Sequence, residues 1–161
     1  MTGPLATVQV RDATAPDADA IAELVNRAFL VERFFVEGDR TSAAEISRLL
    51  DAGAFLLAET GGRLVACVYV ERRGERGYFG MLSVDPSRQG EGLGRLLVDA
   101  AEDRCRRLGC RVMEIHVVDL RRELPPLYRR LGYVEVGTEP FPDTERAKRP
   151  ARFIVMTKPL G

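Results

Sequence analysis

The chain of 161 residues has the length of one globular domain, and its 45% hydrophobic content can supply an ordinary core. Its 24 Lys and Arg residues balance its 24 Asp and Glu residues, which disfavours general nucleic-acid binding because that function needs a basic face. No apolar run is long enough to cross a membrane, and residues 1–6 lack the basic start and apolar core of a signal peptide. We therefore expect a single domain over residues 1–161 in the cytoplasm, with no membrane or nucleic-acid partner.

The first half of the chain predicts a strand, two helices and then three consecutive strands. Pro16 opens the first helix, which has one apolar face. Thr41 or Ser42 is expected to cap the second helix, with Glu45 completing a capping box. Gly61-Gly62 predicts a tight hairpin between the second and third strands. The predicted strands of this half are residues 7–11, 55–58, 64–70 and 78–84.

The second half predicts two helices and three strands. A helix over residues 91–108 has an apolar stripe that includes Leu96 and Leu108, and Gly109 ends it. The strand after this crossover should lie parallel to the strand over residues 78–84. The fold class is therefore α/β (α+β), with a mixed, mostly antiparallel sheet of about six to seven strands flanked by helices. The remaining predicted elements are strands 111–118, 133–136 and 152–158 and a short helix over 124–131.

The three cysteines are odd in number and have no metal-ligand spacing. Cys67 lies in an apolar strand, and Cys105 lies on the apolar stripe of the long helix. We expect these two and Cys110 to be buried thiols, and we expect no bound metal.

A glycine-rich turn precedes the long helix and is the most informative segment of the chain. The predicted strand ends at Asp85-Pro86, and glycines then follow at Gly90, Gly92 and Gly94. Glycine lets a ligand approach main-chain N–H groups closely. The N-terminus of a helix adds unpaired donors and a positive dipole end. The segment therefore predicts a site for a phosphate or pyrophosphate.

Three nucleotide-binding patterns can be compared with this turn. A phosphate-binding loop of nucleotide hydrolases needs Gly-Lys-Ser/Thr, but here the residue after Gly94 is Arg95. A dinucleotide fingerprint needs a third glycine where the chain has Arg95 or Leu97, although Asp119 lies at a suitable distance for a ribose-binding acid. The sequence Gln89-Gly90-Glu91-Gly92-Leu93-Gly94 matches a third pattern, Gln/Arg-x-x-Gly-x-Gly/Ala.

With this third pattern, the segment from Leu82 to Gly94 resembles the acetyl-coenzyme A signature of the GNAT acetyltransferases. The later segment Leu127–Tyr133 is similar to the family's Leu/Phe-Tyr-x-x-x-Gly-Phe/Tyr motif. One position departs from the family: many members have an Asn where this chain has Arg121. Whether Arg121 replaces the cofactor contact made by that Asn stays open.

The resemblance implies acetyl-coenzyme A (acetyl-CoA) as co-substrate and direct transfer of its acetyl group to an amine in a ternary complex. It implies a backbone oxyanion donor near Leu82 and makes Tyr128 the general acid beside the coenzyme sulfur. A phenol suits that task because it is neutral at pH 7 and can donate a proton. The expected cofactor-binding residues are Leu82, Ser83, Val84, Gln89, Gly90, Glu91, Gly92, Leu93, Gly94 and Arg95.

The general base is less clear from the sequence. His116 is the only histidine, and its ordinary pKa of about 6.5 suits proton transfer. Glu114 has the same strand parity and should lie on the same side of the sheet. The apolar residues around His116 fit a histidine in the core or on the sheet surface better than they fit a general base. Glu32, Tyr78 and Glu123 are further candidates for the base.

Two irregular segments, residues 31–41 and 137–150, are expected to flank the acetyl end of the cofactor. Phe34, Phe35 and Phe141 are candidates for an apolar wall of the acceptor site. Acidic residues there could attract an ammonium group, or could be ordinary solvated charges. These acidic residues are Glu32, Asp39, Asp143 and Glu145.

The predicted function is N-acetylation of a small-molecule or peptide amine by a monomer or homodimer. The alternatives are a non-catalytic sensor of coenzyme A, a protein N-terminal acetyltransferase and a dinucleotide-dependent oxidoreductase. The neutral overall charge disfavours an acetyltransferase that acts on tRNA.

Overall fold

The computed structural model describes residues 7–161; residues 1–6, for which no signal peptide is predicted, lie outside the described part. Seven strands form one sheet in the order β1-β2-β3-β4-β5-β7-β6. The strands are β1 Gln9–Asp12, β2 Ala54–Thr60, β3 Arg63–Arg73, β4 Arg76–Val84, β5 Val112–Val118, β6 Val134–Pro140 and β7 Arg152–Pro159. The α-helices of the described residues are α1 Ala18–Ala28, α2 Ala43–Ala52, α3 Leu93–Arg107 and α4 Leu124–Arg130.

The sheet is mixed, as predicted. Strands β4 and β5 pair in parallel, because α3 carries the chain back across the sheet between them. The other neighbouring strands pair antiparallel. Gly61 and Gly62 have φ values of 58° and 77°, which suit the tight turn between β2 and β3. These features confirm the predicted fold class.

Two apolar cores lie around this sheet. One contains the buried face of α3, including Leu97 and Ala101, and the other contains α1 and Ile46 of α2. The prediction for the α3 stripe was wrong at Leu96 and Leu108, whose exposed fractions are 37% and 43%. Leu96 lies on the side of the helix away from the sheet, and Leu108 follows the last helical residue. Cys67, Cys105 and Cys110 are buried free thiols, as expected.

The start of α2 differs in one detail from the predicted capping box. The Ser42 hydroxyl accepts the backbone N–H of Glu45 at 3.2 Å. The Glu45 carboxylate, however, accepts from the Thr41 hydroxyl instead of from the Ser42 backbone. The box is therefore only half formed, because Thr41 offers a competing donor.

Strands β4 and β5 separate soon after they begin, and this separation creates the candidate site. They pair only where Arg76–Tyr78 faces Val112–Glu114. Further along β4, Met81 and Leu82 lie opposite the single residue Val68 of β3, which is a β-bulge. Met81 there has a φ of 51°, which is unusual for a residue with a side chain. The bulge turns the end of β4, and a cleft opens between the two strands.

Candidate active site

The cleft between β4 and β5 has a volume of about 850 Å³. Its walls are the second half of β4, the end of β5, the glycine-rich turn, α4 and the segment after α1. This volume lies within the range of pockets that enclose a cofactor or another small molecule. Within the described part of the chain, no helix is long and apolar enough to span a membrane.

The glycine-rich turn lies at one end of the cleft. The Asp85 carboxylate accepts the backbone N–H and hydroxyl of Ser87 at 3.0 and 2.8 Å, which fixes the exit from β4. Gly90 and Gly92 have φ values of 84° and 81°, where side chains are disfavoured. Gly92 is the N-cap residue of α3, so the first N–H groups of this 15-residue helix point toward the turn. The arrangement offers main-chain donors and a positive dipole end to an anion.

Most of the predicted cofactor-binding residues line the cleft. Those that do are Leu82, Val84, Gln89, Gly90, Gly92, Leu93 and Gly94. Ser83, Glu91 and Arg95 are not among the lining residues. The Ser83 hydroxyl is buried and donates to the carbonyl of Met81. Glu91 is paired with Arg88 at 2.9 Å, and Arg88 itself lines the cleft.

Tyr128 of α4 also lines the cleft, although its exposed fraction is only 8%. Its ring lies 6.1 Å from that of Phe79 and 6.0 Å from that of Tyr133. Burial raises the pKa of Tyr128 to about 12, although Arg121 opposes the rise. The phenol therefore keeps its proton throughout the physiological range and can donate it.

His116 and Glu114 lie side by side on β5, in agreement with their strand parity. His116 Nε2 lies 2.8 Å from a Glu114 carboxylate oxygen, and its ring lines the cleft beside Tyr78. Burial acts to raise the pKa of Glu114, but His116 and Arg76 outweigh it, so this pKa lies below its ordinary value. Glu114 therefore stays ionised and can orient the imidazole as a proton acceptor.

The same histidine belongs to a cluster whose donor atoms could hold a cation. Donor atoms of Glu114, His116 and Glu139 all lie within 4.8 Å of one another. However, the guanidinium of Arg76 lies 2.8 Å from the other Glu114 oxygen. This positive charge would compete with a metal ion for Glu114, which supports the expectation of no bound metal. That expectation stays a prediction.

Arg121 contacts two carboxylates. Its guanidinium lies 3.0 Å from Glu32, which follows α1, and 3.1 Å from Glu123. Burial raises the pKa of Glu32, and Arg121 opposes this rise. Arg121 lines the cleft but uses two of its nitrogens to hold the Glu32 segment against the start of α4.

The phenylalanines predicted for the acceptor wall are placed differently from one another. Phe141 lines the cleft, whereas Phe34 and Phe35 are not among its lining residues. Phe34 is 44% exposed, and Phe35 is fully buried with its ring 6.2 Å from that of Phe141. An isolated bridge between Val36 and Ala147 joins the two irregular segments. Phe35 therefore supports this wall from behind.

Of the four acidic residues predicted for the acceptor site, three line the cleft and one does not. Glu32, Asp39 and Asp143 line the cleft, and Glu145 does not. Asp119, the candidate ribose-binding acid of the dinucleotide alternative, is also outside the lining, and its carboxylate accepts the backbone N–H of Arg152 at 3.1 Å.

Sequence reasoning missed the cleft residues Arg40 and Arg88. Arg88 lies one residue before the matched motif, and this position could have indicated that it lines the cofactor site. Arg40 lies at the end of an irregular segment and had no local signal.

The model of the acetyltransferase (GNAT) family matches residues 18–133. The chain belongs to the GNAT family. The chain is 30% identical over 92 residues to mycothiol acetyltransferase from Propionibacterium freudenreichii. That match covers 55% of the chain but only 30% of the relative's length.

Two solved structures share the fold over nearly the whole chain. Phosphinothricin acetyltransferase from Sinorhizobium meliloti, in complex with acetyl-CoA, has a TM-score of 0.77 and 23% identity, with 96% of this chain and 89% of that chain covered. A putative acetyltransferase from Salmonella typhimurium with its cofactor acetyl-CoA has a TM-score of 0.74 and 24% identity, with coverages of 96% and 95%.

Proposed function

We propose that this acetyltransferase moves the acetyl group of acetyl-CoA to the primary amine of a small molecule or peptide by direct attack in a ternary complex. The observation that carries the proposal is the cleft, which joins a glycine-rich turn at a helix N-terminus to the separated ends of β4 and β5. The turn would hold the pyrophosphate, because Gly90 and Gly92 leave open space where a side chain would be.

The residues of the cleft can then be given roles in acetyl transfer. The backbone N–H near Leu82, turned by the bulge at Met81, would donate to the thioester oxygen as negative charge develops on it. The amine nitrogen attacks the carbonyl carbon, and the carbon–sulfur bond breaks. Tyr128 would supply a proton to the departing thiolate.

The attacking amine must also lose a proton. We assign this proton to His116, because Glu114 is ionised beside it and the imidazole lines the cleft. Glu32 is the second candidate, because burial raises its pKa toward the range of a useful base. Its ion pair with Arg121 opposes this role. Tyr78 and Glu123 also line the cleft and stay as further candidates for the base.

The alternatives can be weighed against the same geometry. A non-catalytic sensor of coenzyme A would not need Tyr128 in the cleft, and a dinucleotide enzyme would need an acid such as Asp119 there. A protein N-terminal acetyltransferase would act through the same chemistry on a peptide amine. We also propose that residues 1–161 form one domain, active as a monomer or homodimer in the cytoplasm.

A binding experiment tests the proposed co-substrate. Acetyl-CoA at about 100 times its Kd should raise the free energy of unfolding by about 2.7 kcal/mol, whereas NAD should not. A melting shift with NAD and none with acetyl-CoA would contradict the proposal. Acetyl transfer is then tested by thiol release across amines, amino acids and short peptides.

A further inference from the structure

Four arginines line the cleft, and three of them are paired with carboxylates within 4.0 Å. The pairs are Arg88 with Glu91, Arg121 with Glu32, and Arg146 with Asp143. The fourth, Arg40, has no ion-pair or hydrogen-bond partner among residues 7–161. An arginine that faces a cleft without a counter-charge is a ready partner for an anionic ligand.

The surroundings of Arg40 hold its guanidinium near the proposed reaction site. Arg40 is half-buried, and its guanidinium carbon lies 5.4 Å from the centre of the Phe29 ring, which also lines the cleft. Burial raises the pKa values of Glu32 and Tyr78, and the charge of Arg40 opposes both shifts. The charge therefore acts on the part of the cleft that contains the candidate bases. Stacking on an aromatic ring leaves the edge N–H groups of a guanidinium free to bind a planar anion.

The cleft lining has five carboxylates and four arginines, and four of the five carboxylates are ion-paired with an arginine. Glu32 is paired with Arg121, Asp143 with Arg146, and Asp39 with Arg33 at 3.2 Å. Glu45 accepts a hydrogen bond from Thr41. A polyamine or an aminoglycoside carries several positive charges and would need several carboxylates without an arginine partner. Among the described lining residues, Glu45 is the one such carboxylate. Within residues 7–161, Arg40 is the arginine of the lining whose charge no paired carboxylate offsets, and it favours an acceptor with an anionic group of its own.

We propose that the acceptor carries a carboxylate beside its primary amine, as an amino acid does, and that Arg40 binds that carboxylate. This inference rests on the proposed acetyl transfer to an amine. A guanidinium binds a carboxylate through two parallel hydrogen bonds, which fixes both the position and the orientation of the ligand. Arg40 would thereby direct the amine into the cleft, and amines without a carboxylate would be poor acceptors.

Binding to the coenzyme A-loaded protein tests the inference without turnover. The probes are N-acetyl-L-amino acids, each paired with the acetylated amine that lacks only the carboxylate, and their affinities are measured by ligand-observed NMR. At least one N-acetyl amino acid should bind about 10- to 100-fold more tightly than the matched acetylated amine, as expected for a charge-assisted hydrogen bond. The variant Arg40→Gln should remove this preference and leave the affinity for coenzyme A unchanged.

Arg48→Gln is the matched control, because Arg48 of α2 is exposed and is not among the lining residues. It should keep the preference for the carboxylate. The inference is overturned if no acid binds better than its matched amine, or if Arg40→Gln keeps the preference. Thiol release from acetyl-CoA is measured separately with the free amino acids and amines. If the acids bind through Arg40 but no amine is acetylated, the proposed acetyl transfer fails while the carboxylate site stands.

Discussion

Substitution of Gly94 by aspartate should separate cofactor binding from stability. Gly94 lies in the first turn of α3, and an added Cβ would meet only Val84 Cγ2, at 3.9 Å. An acidic residue near a helix N-terminus stabilises the helix by about 0.3–1 kcal/mol. Glycine is also one of the weakest helix formers. Gly94→Asp should therefore unfold at a free energy equal to or slightly above that of the wild type.

The same carboxylate should repel a pyrophosphate at this turn. Two like charges about 4 Å apart near a protein surface repel by about 4 kcal/mol, so a loss of about 100-fold in acetyl-CoA affinity is a modest expectation. At about 100 times the wild-type Kd, the wild type gains about 2.7 kcal/mol and the variant about 0.4 kcal/mol. For a chain of this length these gains correspond to melting shifts of about 5–11 °C and about 1 °C.

Thermal melts with and without acetyl-CoA measure both effects in one experiment, and calorimetry gives the two Kd values. Gly94→Asn is the matched control, because it adds nearly the same volume without the charge. It should lose clearly less affinity than Gly94→Asp. A wild-type melting shift in the Asp variant, or equal losses in the two variants, would refute the assignment of a pyrophosphate to this turn.

Three further outcomes follow from described contacts. Tyr128→Phe should lower kcat by about 10- to 1,000-fold and, because the pKa of Tyr128 is about 12, by the same factor at every pH from about 7 to 10; an unchanged kcat in steady-state assays would assign Tyr128 to packing. Tyr133→Phe removes a 2.8 Å hydrogen bond to buried Glu102 and should cost about 2 kcal/mol in urea unfolding, without changing acetyl-CoA affinity. The ion pair with Arg11 lowers the pKa of Asp17 from its ordinary 3.8 to about 2, so its stabilisation is present above about pH 4 and is lost as the pH falls toward 2. Asp17→Asn should therefore lower the free energy of unfolding by about 1 kcal/mol at pH 7, and pH-dependent melts should converge with those of the wild type near pH 2.

The sequence predicted most of the sheet because its signals are local. Alternating apolar residues, the hairpin at Gly61-Gly62 and the three glycines around the start of α3 each act over a few residues. The same locality explains the failures. The burial of Phe35 depends on the segment around Phe141, more than a hundred positions away, and nothing beside Phe35 indicates it.

Contacts between side chains that are far apart in the sequence could not be predicted either. Arg121 and Glu32 are 89 positions apart, so neither residue alone shows that they form an ion pair. The positive φ of Met81 depends on where β3 and β4 come into register, which is set by the whole hairpin. That Arg40 has no carboxylate partner among residues 7–161 is likewise visible only in the structure, because its sequence neighbours do not indicate it.

The separation of β4 from β5 should also affect how this protein responds to force. A sheet resists shear through its ladder of hydrogen bonds, and here the ladder between the two strands has only three residue pairs. Strands β1–β4 and β5–β7 are therefore joined by strand pairing only along a short segment at one end, and elsewhere by apolar packing beneath α3. We expect a ligand that contacts both strands at the open end of the cleft to make that end stiffer, because it would link strands that are not paired there. The missing pairing between β4 and β5 would then explain both why the cleft can deform and why it can admit a long, flexible molecule.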